Sequence, residues 1–182
     1  MSELRLDTPL TIDEVDFRIQ SINKGGYATI LAYKDARVDY RRLNAVYGVG
    51  NWQRKHEMIG DRLYCAVGLF HKESGEWVWV QDVGTESNTE KEKGQASDSF
   101  KRACFNLGIG NELYEYPLIN VKLKDDEWEM RKGRDGKERP TATWNLKLRD
   151  WKWYSEFDDD GIKVLAAKDT SGGRRYTWKR GE

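Results

Sequence analysis

The stretch GQASDSFKRACFNLGIGNELYEYP, Gly94 to Pro117, sets apolar residues at the period of a helix and places two adjacent cations among them. Ala96, Phe100, Ala103, Cys104 and Leu107 follow one another at spacings of four, three, one and three, the stripe of a helix seated on an apolar surface. Phe100 and Leu107 are the expected anchors. At about 100° per residue, Lys101 and Arg102 cannot both share that stripe and project from a flank. Gly108-Ile109-Gly110 ends the helix, because glycine enters the left-handed region at little cost.

The residues upstream supply the surface on which such a helix can sit. NWQRKHEMIG, RLYCAVGLFH and EWVWVQDVG read as three strands joined by turns at Gly60-Asp61 and Glu73-Ser74-Gly75. Leu63, Cys65, Val67 and Leu69 alternate in the middle strand, so one of its faces is apolar and needs a cover. Further upstream, Val15, Phe17 and Ile19 alternate with polar residues, Lys24-Gly25-Gly26 makes a turn, and YATILAYKD returns, an antiparallel hairpin. Between hairpin and meander, ARVDYRRLNAVYG forms a short helix with Val38, Leu43, Val46 and Tyr47 on one face and Gly48 as its stop.

Downstream, the density of mixed charge predicts a linker or excursion over 124–140, poor in periodic apolar residues. Residues 141–182 are strand-rich again, with Ser171-Gly172-Gly173 as a hairpin turn, and either complete the sheet or form a separate ribbon. The expected fold is α+β, an antiparallel sheet of hairpin plus three-stranded meander packed against a long helix. Residues 1–123 form its core, and a β-rich extension follows.

The 182 residues suffice for one core with extensions, and 31 basic against 31 acidic side chains leave no net charge. An electrostatic site must therefore come from local segregation of charge. No apolar run approaches the roughly 18–20 residues that span a bilayer, and no N-terminal signal pattern is present, so a cytoplasmic location is expected. Cys65 and Cys104 sit in apolar segments without metal-site spacing and read as buried free thiols.

Motifs for covalent chemistry are missing from the sequence. There is no GxxxxGK[ST] loop for a triphosphate and no GxSxG elbow, while GVGNWQ and GIGNEL lack the third glycine of a dinucleotide fingerprint. His56 and His71 have no HxxxH partner. A Mg2+-dependent nuclease stays open as an alternative on Asp82 and Glu86 and on the Asp-x-Lys spacings at Asp135 and Asp150. Acids and lysines this abundant produce such triplets by chance.

Ordered blocks carry a resemblance over Val15 to Tyr116: AYKDARV, a helix, YGVGNW, LYCAVGLF with WVWVQDVG, then KGQASDSFKRACFNLGIGNELY. This order resembles the Rad52-like single-strand annealing proteins, including phage and prophage members. The last block is the most specific, with its lysine-glycine start, aspartate, Lys-Arg-Ala step and glycine-ended helix. The resemblance implies a homo-oligomeric ring or open arc that holds single-stranded DNA in a basic groove. It implies annealing without nucleotide hydrolysis, without a cofactor and without enzymatic activity, in recombination or repair within a bacterial host. A phage exonuclease or a host single-strand-binding protein is a candidate partner. By matched position, Arg37 contacts the DNA backbone, and Lys101 and Arg102 form the basic pair of the groove. Two positions depart from the pattern: Phe105 stands where eukaryotic members carry a further arginine, and Val49 where they carry an aromatic residue.

Annealing asks that phosphates be gripped while bases stay free, which suits Arg forks and Lys point charges. Three cations per protomer bind weakly, and repetition around an oligomer supplies avidity. Arg41, Lys91 and Lys93 are further candidate backbone contacts, with plain surface charge as the competing reading. Trp77 and Trp79 read as core or subunit interface, with base stacking as the alternative. LRDWKWY and RRYTWKRG mix cations with aromatics, the composition of a nucleic-acid surface or of an exposed hairpin with one packed face. A non-annealing protein that protects single-stranded DNA is the runner-up function.

Overall fold

The computed structural model describes residues 4–85 and 91–182, with residues 91–93 described by their backbone alone. In chain order the elements are β1 (Asp16–Ile22), β2 (Tyr27–Tyr33), α1 (Ala36–Tyr47), β3 (Trp52–Ile59), β4 (Arg62–His71), β5 (Glu76–Val83), α2 (Lys91–Asn106), β6 (Ile119–Lys122), β7 (Trp128–Lys132), β8 (Glu138–Ala142), β9 (Lys152–Asp158), β10 (Gly161–Lys168) and β11 (Arg174–Lys179). The architecture is α+β, and every strand pair is antiparallel. The sheets are open, with orders β1-β2-β6, β3-β4-β5, β11-β10-β9 and β7-β8. No helix among the described residues is long and apolar enough to cross a membrane.

The chain divides into two compact units, Met1–Leu10 with Lys34–Asn111, and Thr11–Tyr33 with Glu112–Glu182. The first unit contains the expected meander. β3 pairs with β4 from Trp52↔Leu69 to Ile59↔Arg62, and β4 with β5 from Tyr64↔Val83 to His71↔Glu76. α2 packs on β4 and β5, with α1 beside it. Cys65, Val67, Phe100, Ala103 and Cys104 are all fully buried, so the alternating strand and the helical stripe meet as their periods require. α1 opens with the Asp35 side chain accepting from the Arg37 amide at 2.8 Å and closes at Gly48, with Val38 and Leu43 buried.

Leu107 is not part of the helical anchor. α2 ends at Asn106 in a Schellman turn: the Ile109 amide donates to the Cys104 carbonyl at 3.1 Å, and the Gly108 amide to that of Phe105 at 2.9 Å. That turn carries Ile109 into the core, fully buried, and leaves Leu107 half-buried.

The first hairpin does not join the meander. β2 pairs with β6 through Ala28↔Val121 and Ile30↔Ile119, in the second unit. There Ile30, Ile119 and Val121 share one core with Leu148, Trp151, Ile162, Leu165 and Ala167, so the sheet β1-β2-β6 and the sheet β9-β10-β11 bury a common interior. Phe17 stacks on Trp153 within it, ring centroids 3.6 Å apart. The strand-rich C-terminal part thus forms its own sheet.

The charged stretch expected as a linker or excursion contains the hairpin β7-β8. Trp128↔Ala142 to Lys132↔Glu138 pair across it, and Asp135 at its turn holds Arg139. Its root is fixed by a buried clasp in which Arg175 donates to both Glu127 oxygens at 2.7 and 2.6 Å, with Trp151 under the guanidinium at 4.3 Å. Burial works against the Glu127 carboxylate, but the Arg175 hydrogen bonds outweigh it and hold its pKa below the usual range.

Candidate nucleic-acid interface

All the candidate contacts belong to the first unit. Phe100, Ala103 and Cys104 face the sheet, so Lys101 and Arg102 are left on the flank of α2, each half-buried. Arg102 reaches back to Asp82 of β5, Nε to Oδ1 3.4 Å, with 42% of its side chain exposed. Asn106, one turn later, donates from Nδ2 to the Gln81 carbonyl at 3.3 Å and to Asp82 Oδ2 at 3.4 Å. These long contacts leave the guanidinium able to exchange Asp82 for another oxyanion.

Arg37 stands at the start of α1 with its side chain 90% exposed and Asp35 3.8 Å from it. Arg41 is exposed one turn further along the same face. Arg42 is different: it is buried and donates to the Thr8 and Pro9 carbonyls at 2.6 and 3.1 Å, tying the N-terminal segment to α1. The side chains of Lys91 and Lys93, and Glu86, lie outside the described residues.

Between α1 and α2 the structure places a group that the sequence reading passed over. Lys34 and Asp39 form a fully buried ion pair, and the Phe105 ring lies 4.4 Å from the Lys34 ammonium. Burial raises the pKa of Asp39 to about 6 against the pull of Lys34, and the Lys101 charge reaches it too. Asp39 was legible as a charge four residues before Leu43, on the apolar face of α1. Phe105, where a further cation was expected, supports this pair instead. Val49 is 85% exposed. Arg54 is a further missed cation, 4.9 Å over both the Tyr40 and Phe100 rings.

The approach to α2 explains the glycine of WVWVQDVG and the aspartate of KGQASDSF. A Cβ on Gly84 would lie 2.2 Å from the Gln95 carbonyl, so only glycine lets the end of β5 pass this close to the helix. Asp98 accepts from the Thr85 amide and hydroxyl at 2.9 and 3.0 Å, pinning the same connection.

In the second unit the mixed C-terminal segments are engaged in part, with Arg149, Lys152, Tyr154 and Arg174 exposed. Arg175 is buried in the clasp, Arg180 pairs with Asp158, and Tyr176 and Trp178 pack on the core. Both thiols are buried, and burial raises their pKa, Cys65 to about 11, which keeps them protonated and inert. Among the described residues no group of three or more His, Cys, Asp or Glu stands together to hold a metal ion.

No protein-family model matches the chain, and no curated protein matches it.

Proposed function

We propose that the chain binds single-stranded DNA and promotes pairing of complementary strands without nucleotide hydrolysis, as a homo-oligomeric ring or arc with α2 along a basic groove. It acts by binding and presentation, in recombination or repair of a phage or prophage within the bacterial cytoplasm. One observation carries the reading. Phe100, Ala103 and Cys104 of the α2 stripe are fully buried, and Lys101 and Arg102 project beside it, the Lys101 charge reaching Asp39 of α1 and Arg102 reaching Asp82 of β5, with the exposed Arg37 and Arg41 on α1. Such cations grip phosphates and leave base edges unread. The resemblance of the ordered sequence blocks to Rad52-like annealing proteins supports the same groove.

Labelled complementary oligonucleotides, mixed without ATP or Mg2+, test it. Pairing faster than the spontaneous rate is expected, and light scattering should give an assembly heavier than the 21.2 kDa monomer. Unchanged or slowed pairing would instead identify a strand-protecting protein. DNA cleavage with Mg2+ or Mn2+ that Asp82→Ala abolishes would identify a nuclease. Lys101→Ala with Arg102→Ala should weaken binding and reduce the salt slope by about 1.4 per protomer, at roughly 0.7 per phosphate contact on a single strand.

A further inference from the structure

The β3-β4-β5 sheet has a second face that α2 does not cover. Pairing parity assigns Trp52, Arg54, His56, Cys65, Val67 and Asp82 to the helix side, in keeping with the contacts of His56 to the Ala96 carbonyl and of Arg54 to Phe100. Lys55, Gly68, Phe70, Trp77 and Trp79 therefore lie on the opposite side.

On that side Trp79 lies flat. A Cβ built on Gly68, its cross-strand partner, would stand 2.8 Å from three atoms of the Trp79 indole, at both ends of its benzo ring. One π face thus rests on the glycine backbone, and the residue is still 40% exposed. Trp77 follows at 6.0 Å and Phe70 at 5.4 Å beyond it, which makes a continuous aromatic row. Lys55 sets its ammonium 4.8 Å from the Trp79 ring. Among the paired strand residues of this side, Lys55 and Arg62 outnumber the one carboxylate, Glu57. The row also runs along β5, the strand whose Gln81 carbonyl and Asp82 are held by Asn106 and Arg102 of α2.

We infer that this face is a stacking platform for the bases of the same single strand whose phosphates α2 grips, with Trp79 as the principal contact. The inference rests on the proposed binding of single-stranded DNA. A flat, partly exposed ring with a flexible lysine over it suits a base and its phosphate, the ammonium moving from the ring to the phosphate, and stacking is indifferent to sequence because every base has a π face. Stacking also holds a base by its face and leaves its pairing edge free, which annealing needs.

The test uses the full chain with two labelled oligonucleotides of equal length, one of thymidines and one of abasic sites that keeps the phosphates alone. The thymidine strand should bind at least about tenfold tighter and quench tryptophan fluorescence, whereas the abasic strand should not quench. Trp79→Ala should remove that preference and leave abasic binding unchanged, which also shows that the variant is folded. Gly68→Ala, which pushes the ring off the sheet, should reduce the preference with the indole still present. Equal affinity of the native chain for both strands would overturn the platform while leaving the phosphate groove in place. Failure to bind either strand would remove the groove reading itself. A fall in assembly mass in Trp79→Ala, with both affinities reduced together, would make this face a contact between copies and overturn the platform as well.

Discussion

Asp39 is the residue whose chemistry departs furthest from its sequence neighbourhood. It lies in the first turn of α1, near Arg37 and Arg41, yet points inward to Lys34 instead of pairing with either arginine. Asp39→Ala would leave a buried ammonium without its counter-charge, a loss of about 3–5 kcal/mol, whereas Lys34→Met with Asp39→Leu should recover most of it. Urea titration of both variants measures this. The folded pKa of Asp39, about 6, is raised above that of an unfolded aspartate, so the folded state binds the proton more tightly. Its contribution therefore favours the native state as pH falls from about 6 towards about 4, and the urea midpoint should rise over that window in the native chain but not in the double variant. Phe105 belongs to the same cluster. Phe105→Arg should lower the melting temperature by repulsion with Lys34 and should not tighten the proposed DNA binding.

α2 is the element on which the proposed activity turns, and its position depends on a contact at its approach. Gly84→Ala would drive a methyl group into the Gln95 carbonyl, 2.2 Å from the Cβ position, and the helix must shift to admit it. Overpacking of this kind costs about 1–3 kcal/mol. Lys101 and Arg102 move with the helix, so single-strand affinity should fall although neither cation is altered; fluorescence anisotropy beside a thermal melt separates the two effects. The helix and its stripe were readable from the sequence, because a period of 3.6 reports which side of an element is apolar. Its last turn was not. Leu107 fits the period, but the Schellman turn at Gly108 swings Ile109 into the core, and that geometry depends on hydrogen bonds back to Cys104 and Phe105.

At the scale of the molecule, the two units interleave along the chain, which crosses between them after Leu10, Tyr33 and Asn111. A chain cut after Leu123, the end of the core expected from sequence, keeps β1, β2 and β6 but loses Leu148, Trp151, Ile162, Leu165 and Ala167 from the interior they share. It should show exchange-labile amides in the remaining second-unit strands, and dye binding typical of exposed apolar surface. Protection equal to that of the full chain would show that the sheet β9-β10-β11 is dispensable.

The strands of the first hairpin and of the meander, their turns, both helices and the projection of Lys101 and Arg102 beside the stripe follow from local pattern, because alternation, helical period and turn chemistry act between residues a few positions apart. Which apolar face meets which is a different matter. β2 pairs with β6 through Ala28 and Val121, far apart in the chain, and the β7-β8 alternation of Trp128 and Met130 with Glu129 and Arg131 was hidden among charges until Arg175 closed on Glu127. The buried Lys34–Asp39 pair and the flat seat of Trp79 on Gly68 likewise exist only once separate segments have been packed together. Periodicity marks a surface that must be covered, and long-range packing selects what covers it.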